Sequence, residues 1–472
     1  MRYLNLLFSL FLFCASSVIA QDKKNVLIFL VDDLGYFDIS HHDADFYETP
    51  NIDALAEEGV DFTNAYVAHP RCLPSRYALQ TGRYPARAGI PAKNENTIKG
   101  KKFYDNEKTI GQAFKDQGYH TFFAGKWHLG HEEDEWPHNK GYDINIAGCA
   151  AGAPKSYFFP YNTSKNPKKI NKKGHGTIIG LDEGEEGEYL TDRLTDETID
   201  FITANHDKKP FFAILSHYGV HTPFQAKKEM IKKYKTKLEG MTFEGPEYTQ
   251  KDGQMKMHQN NPVYAAMVES VDESLGRIVK TLKEQGIYDN TIIVFTSDHG
   301  GLSNRGLTSN RDLATSNLPL RAGKGHSYEG GTKVPLIFSG AKISRHKVID
   351  QVTTNTDLYP TLLDLCDLNL YPSEHLDGMS IKTNIEKGRS KDRVLFWHSS
   401  RARPNSTGDI HVTVARDGDL KMMYFYKEER YELYDLSKDP YEANNIFNAN
   451  DPKNAELMKM IKNWTAEVKA AS

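Results

Sequence analysis

The run Val26-Leu27-Ile28-Phe29-Leu30-Val31 is unbroken by any polar side chain and stops at Asp32-Asp33. A second run, Thr291 to Thr296, stops the same way at Ser297-Asp298-His299. Apolar runs without alternation read as strands buried on both faces, so the chain needs a sheet with helices packed on either side. Helical patterns at Asn51–Glu58, Thr109–Gln117, Leu190–Asn205 and Val263–Glu284 alternate with short strands at His120–Ala124, Pro210–Leu215, Thr291–Thr296 and Val334–Ser339. That alternation predicts an α/β fold with a large, mostly parallel central sheet flanked by helices. From Asn162 to Glu188 the chain is rich in Lys, Gly, Asn and Glu, which predicts a long surface excursion. After Thr354 the texture changes. A helix over Asp357–Cys366, strands over Arg393–His398, His411–Arg416 and Leu420–Tyr426, and a last helix over Pro452–Ala470 predict a smaller C-terminal antiparallel α+β subdomain. The expected division is residues 1–20, 21–385 and 386–472.

Residues 1–20 read as a secretory signal. Arg2 supplies the charge, Leu4 to Phe13 the apolar stretch, and Val18-Ile19-Ala20 a small-residue cleavage site, too short together for a spanning helix. The mature chain is thus expected to be exported, periplasmic or secreted, without membrane insertion. Its net charge of −4 supplies no general field for nucleic acid, so an anionic substrate needs a local cationic pocket. Without Cys14, three cysteines remain: Cys72, Cys149 and Cys366. An odd number in an exported chain leaves at least one thiol unpaired. Cys149 and Cys366 either pair or stay as buried thiols.

At the C-terminal ends of parallel strands, polar residues converge on a ligand crevice. Asp32, Asp33 and Asp298 would repel one another there unless a cation joined them, and three carboxylates make an oxygen cage for Ca²⁺ or Mg²⁺. Asp32-Asp33 opening a solvated loop is the plain alternative. In Cys72-Leu73-Pro74-Ser75-Arg76, the proline marks a helix start just after the cysteine. A helix N-terminus attracts anions, and Arg76 lies one turn further on.

Cys72 to Arg76, followed by Thr81-Gly82-Arg83-Tyr84-Pro85, resembles the signature of the type I, formylglycine-dependent sulfatases of the alkaline phosphatase superfamily. Gly118-Tyr119 with Gly125-Lys126-Trp127-His128 is similar to the family's second signature. Further segments that resemble the family are His221-Thr222-Pro223-Phe224, Ser297 to Gly300 and Gly323-Lys324-Gly325, and Glu432 to Asn445 resembles its closing motif. The likeness spans nearly all of the mature chain. It implies a sulfuric ester hydrolase in which a formylglycine-generating enzyme oxidises Cys72 to formylglycine (3-oxoalanine). It implies one Ca²⁺, or Mg²⁺, at Asp32, Asp33, Asp298, His299 and residue 72; many relatives carry Asn at the position of His299. By the same resemblance Asp298 activates the nucleophile, Lys126 and Lys324 hold sulfate oxygens, and Arg76 steadies the modified side chain. His221 protonates the leaving oxygen, and His128 restores the aldehyde.

The expected substrate is a sulfated carbohydrate, met at a chain end, with Arg71, Trp127, Tyr218, Arg311 and His398 as candidates for reading the sugar. A formylglycine-dependent phosphodiesterase or phosphonate monoester hydrolase, and an arylsulfatase for small aryl sulfates, are the alternative readings. A glycan-binding protein on the same scaffold would lack one or more catalytic positions, and all are present.

Overall fold

The computed structural model describes residues 23–89, 107–162, 177–343, 346–388 and 393–470. Residues 1–20, expected to be the export signal, lie outside that set, as do residues 163–176 of the expected excursion.

The centre is an eight-stranded sheet in the order Lys347–Ile349, Val60–Phe62, Leu336–Gly340, Thr291–Ser297, Asn25–Val31, Phe211–Ser216, His120–Gly125, Ile144–Ile146. Every neighbouring pair is parallel except the two made by Leu336–Gly340, which runs against both its neighbours. All seven residues of Asn25–Val31 are buried. Side chains alternate across a strand, so Leu27, Phe29 and Val31 enter one apolar core and Val26, Ile28 and Leu30 the other. Each fully buried residue of this kind contributes roughly 1.5–3 kcal/mol, which places the strand mid-sheet. The helices Leu190–Asn205, Lys228–Glu239 and Pro262–Glu284 cover the first face, and Cys72–Thr81, Ile110–Asp116 and Leu358–Leu365 the second. Asn261 caps Pro262–Glu284 by accepting from the amides of Val263 and Tyr264 at 3.1 and 3.2 Å, a contact of about 1 kcal/mol.

Strands Val394–Ser399, Val412–Asp417, Leu420–Phe425 and Arg430–Asp435 form an antiparallel meander, with Pro452–Glu467 packed on it through Leu457 and Ile461. The short strands Val60–Phe62, Ile144–Ile146 and Lys347–Ile349 were not expected, nor were two longer elements. Arg430–Asp435 is an edge strand with Arg430 exposed, and Lys228–Glu239 buries only Tyr234, so neither carries a strong apolar pattern. Cys72, Cys149 and Cys366 are all buried free thiols, which closes the pairing alternative.

A buried ionic network ties the meander to the short helix Glu329–Thr332 and to Tyr66. Lys421, fully buried, reaches Glu329 and Glu442 at 2.9 Å each, and Glu329 also accepts from Tyr66 at 2.6 Å. Burial and the nearby Glu329 push the Glu442 carboxyl up, while at Glu329 Lys421, Arg416 and Lys333 together overcome burial and hold that group down. Removing one partner of such a cluster strands the others. Lys421→Met is expected to cost about 3–5 kcal/mol, read as a shift in chemical denaturation; a change under about 1 kcal/mol would show that the network is not needed for stability.

Candidate active site

Four neighbouring parallel strands deliver their C-terminal ends to one place. Asp32-Asp33 follow Asn25–Val31, Asp298-His299 follow Thr291–Ser297, Lys126 and His128 follow His120–Gly125, and His221 lies just beyond Phe211–Ser216. At Gly125 (φ 99°) a Cβ would stand 1.9 Å from the Ser216 carbonyl oxygen, so only glycine lets these two strand ends approach. Asp33 and His128 both adopt left-handed backbone (φ 65° and 59°), a conformation uncommon for residues other than glycine and enriched at Asp and His. Cys72 is the first residue of the wholly buried helix Cys72–Thr81, entered from an extended Arg71 and closed by left-handed Gly82. Asn355 anchors that helix start by donating to the Ser75 carbonyl and hydroxyl at 3.0 and 2.9 Å.

Around the Cys72 thiol, charges alternate. His299 Nε2 lies 3.1 Å from Sγ, 3.2 Å from Asp33 Oδ1 and 3.6 Å from Asp298 Oδ1. Lys126 pairs with Asp32, and Lys324 grips Asp33 at 2.6 and 2.8 Å. The Arg76 guanidinium donates to Asp298 at 2.9 Å and to the Lys126 carbonyl and Ser216 hydroxyl at 2.7 Å each. Expected to steady residue 72, Arg76 is in the structure a clamp on Asp298 and on two strand ends. The lysines, expected at sulfate oxygens, here neutralise carboxylates.

The electrostatics follow from burial and these pairings. Burial pushes Asp32 well up, and Asp298 adds to it, against the pull of Lys126. Burial opposes ionisation of Asp33 too, but Lys324 together with His221 and His299 holds the carboxyl below the usual range. Cys72 is likewise buried, yet Lys126, Lys324 and His299 bring its thiol well below the ordinary value. Burial lowers His128 to about 4; burial and then Lys324 lower His221 to about 3. Both imidazoles are therefore neutral near pH 7. Since a carbonyl can only accept, the 2.7 Å contact of His221 Nδ1 with the Thr222 oxygen puts the proton on Nδ1 and turns Nε2 toward Asp33, 3.8 Å away.

The donor set fits a hard divalent cation. Asp32, Cys72, Asp298 and His299 each bring one ligand atom within 4.8 Å of the others, and Asp33, Cys72 and His221 form a second such group. Asp32 Oδ1 is buried with no hydrogen-bond donor, and orphaned carboxylate oxygens among carboxylates are what Ca²⁺ or Mg²⁺ satisfies. His299 Nδ1 contacts the Gly300 carbonyl at 3.0 Å, so that nitrogen carries the proton and Nε2 faces the cage.

A cavity of about 240 Å³ opens over this cluster, lined by Cys72, His128, His221 and Lys324 together with Arg71, Arg311, Arg403 and Thr407. Arg71 and Arg311, expected at the substrate, are there. Trp127 and Tyr218 are corrected: Trp127 is buried against Phe123 and Tyr142 and donates to the Glu135 carbonyl at 3.0 Å, and Tyr218 is buried with its hydroxyl 3.2 Å from the Ala147 carbonyl. His398 is buried on Thr413 at 2.8 Å and contributes no surface to the cavity. Arg403 and Thr407 were missed, as was Asp409, which pairs with Arg71. Two arginines, Arg401 and Arg403, ahead of a turn-rich stretch between strands were the available signal. At Gly325 (φ 96°) a Cβ would come within 2.8 Å of both Thr407 and Asp409, so that loop packs directly on the Lys324 segment.

The sulfatase family model matches residues 24–368, and the model described as N-sulphoglucosamine sulphohydrolase, C-terminal, matches residues 323–471. A sulfatase of Formosa agariphila is 30% identical, over 94% of this chain and 88% of its own. Human N-acetylgalactosamine-6-sulfatase is 30% identical, over 80% of this chain and 69% of its own. Among solved structures, Ps i-CgsB in complex with k-i-k-neocarrahexaose superposes with a TM-score of 0.76 at 30% identity, covering 94% of this chain and 93% of that one. The first model alone takes in well over half of the chain and every strand end that supplies the cluster around Cys72. The protein therefore belongs to the sulfatase family of the alkaline phosphatase superfamily and is a sulfuric ester hydrolase.

Proposed function

We propose that the protein removes sulfate from a sulfated carbohydrate, at a chain end, with formylglycine formed from Cys72 as its nucleophile. The observation that carries this reading is the cavity itself. At about 240 Å³ it is smaller than the roughly 300–1,000 Å³ of sites for drug-sized ligands, and Arg71, Arg311, Arg403 and Lys324 line it around Cys72. A space of that size and charge suits one sulfated sugar unit. The relatives named for N-acetylgalactosamine-6-sulfate and the neighbour bound to a neocarrahexaose support a carbohydrate substrate.

Asp32, Asp33, Asp298 and His299 would hold a divalent cation, which would supply Lewis-acid polarisation. The aldehyde hydrate at position 72 supplies an attacking hydroxyl and, by reverting to the carbonyl, a way to expel sulfate. Asp298, fixed by Arg76, accepts the proton of the attacking hydroxyl as the sulfur–ester oxygen bond breaks. Lys126 and Lys324 turn from their carboxylates to the sulfate oxygens. His221 Nε2, neutral in the protein alone, gains its proton beside the anionic ester and passes it to the leaving oxygen. His128, neutral as well, removes the proton of the second hydroxyl. Cys72 is only 7% exposed, so a formylglycine-generating enzyme must reach it before the chain closes around it. Residues 1–20 direct export, and among the described residues no helix is long and apolar enough to cross a membrane.

A time course on a long sulfated polymer and on its short oligosaccharides tests the pocket. Sulfate is expected to leave the oligosaccharides quickly and the polymer slowly, in proportion to its ends. Random desulfation along the polymer at the oligosaccharide rate would sink the chain-end reading, and activity confined to aryl sulfates would sink the carbohydrate.

A further inference from the structure

Outside the active-site cavity, His41 and His42 meet Asp61 of the short strand Val60–Phe62. One ligand atom from each lies within 4.8 Å of the others. His42 Nε2 is 3.1 Å and His41 Nε2 3.4 Å from the same oxygen, Asp61 Oδ2. Those separations are long for a charge-assisted hydrogen bond, which falls near 2.7–2.9 Å. They match the edge of a tetrahedron around a metal bound at about 2.0–2.1 Å, which is about 3.3 Å.

Proton bookkeeping points the same way. His42 Nδ1 lies 3.0 Å from the Tyr36 carbonyl, which can only accept, so Nδ1 carries the proton. In the neutral ring Nε2 is then a bare lone pair facing a carboxylate oxygen, a repulsive contact unless a proton or a metal ion lies between. A metal-bound histidine commonly donates its other nitrogen to a backbone carbonyl in this manner. The Tyr36 ring stacks on His42 with centroids 4.1 Å apart and sets its plane. Asp61 is 4% exposed and its Oδ1 has no hydrogen-bond partner. His41 is partly exposed and its backbone amide is held by Asp53 at 2.9 Å. Lys333 also acts on Asp61 and lies 4.7 Å over the Tyr36 ring. Its charge opposes any cation at Asp61, so an ion there would have to be held chiefly by the two imidazoles, which suit Zn²⁺.

We propose that His41, His42 and Asp61 form a second, structural metal site that takes a borderline divalent ion such as Zn²⁺, separate from the cation of the active site. The ion would pin the loop that leaves Asp32-Asp33 to Val60–Phe62, the second strand of the sheet. The test is a Zn²⁺ titration of the whole protein by calorimetry in saturating Ca²⁺, which keeps the oxygen cage filled, with Co²⁺ absorption as a second readout. The wild type is expected to bind one equivalent of Zn²⁺, to show the visible bands of tetrahedral Co²⁺ and to melt at a higher temperature with Zn²⁺ present. His41→Gln, at a partly exposed position, and Asp61→Asn are each expected to lose that equivalent and the rise in Tm. If no equivalent binds in the wild type, or if it persists in a folded His41→Gln protein, the cluster is an imidazolium–carboxylate pair and the proposal fails.

Discussion

Replacing Cys72 by serine is expected to leave a folded protein whose turnover is reduced roughly 10⁴-fold or more. Serine is close to cysteine in size and is accepted at a helix start, so Cys72–Thr81 keeps its N-terminus and the fold should survive. The chemistry should not. A serine hydroxyl can take sulfate from an ester, but it has no second hydroxyl on the same carbon, so His128 finds no proton whose removal would expel sulfate. The variant is therefore expected to release leaving group once per molecule and then stall as the sulfated serine, a mass that intact-protein spectrometry would register. In the wild type, the peptide carrying residue 72 is expected to contain the aldehyde. Fully active protein with an unmodified thiol throughout, or a serine variant turning over within tenfold of the wild type, would overturn the assignment of the nucleophile.

Removal of divalent cations is expected to abolish activity and to lower the melting temperature by several degrees. Asp32, Asp33, Asp298 and His299 are all buried, and Asp32 keeps an oxygen without a donor. A cation that binds only the folded state contributes about 4 kcal/mol when free at a thousand times its Kd. Prolonged chelation followed by gel filtration, then readdition of Ca²⁺ or Mg²⁺ in parallel, measures the loss and the recovery. Unchanged turnover in protein shown to be metal-free would exclude the cation from the reaction. Asp33→Asn is expected to weaken the recovery and to leave Lys324 with a neutral partner in place of the carboxylate at 2.6 Å.

Local pattern carried the strands a long way. Asn25–Val31 and Thr291–Ser297 were legible because a strand buried on both faces needs an uninterrupted apolar run, and their ends were legible because carboxylates there break it. Lys228–Glu239 and Arg430–Asp435 were not. A helix burying one tyrosine and an edge strand with alternating charge owe their place to what they pack against. Cys72, Lys126, His128, His221, Lys324 and the three aspartates could be named one motif at a time, since each sits in a short stretch whose spacing the backbone fixes.

What the sequence determined by itself, then, is the set of polar groups at strand ends and at one helix start, together with the family resemblance those groups carry. Which side chains face the cavity was decided only by tertiary structure. Trp127 stands between Lys126 and His128, yet it turns into the core beside Phe123 and Tyr142, because successive residues leaving a strand point to opposite sides. Arg403, Thr407 and Asp409 lie more than 300 residues from Cys72 along the chain, and no local spacing relates them to it. Arg403 and Thr407 reach the cavity, and Asp409 reaches Arg71, because the buried Lys421 network docks the meander on Glu329 and Tyr66 and because Gly325 leaves room for Thr407 and Asp409. Contacts between distant segments are set by packing and by the pairing of buried charge, and neither is written in the neighbourhood of any single residue.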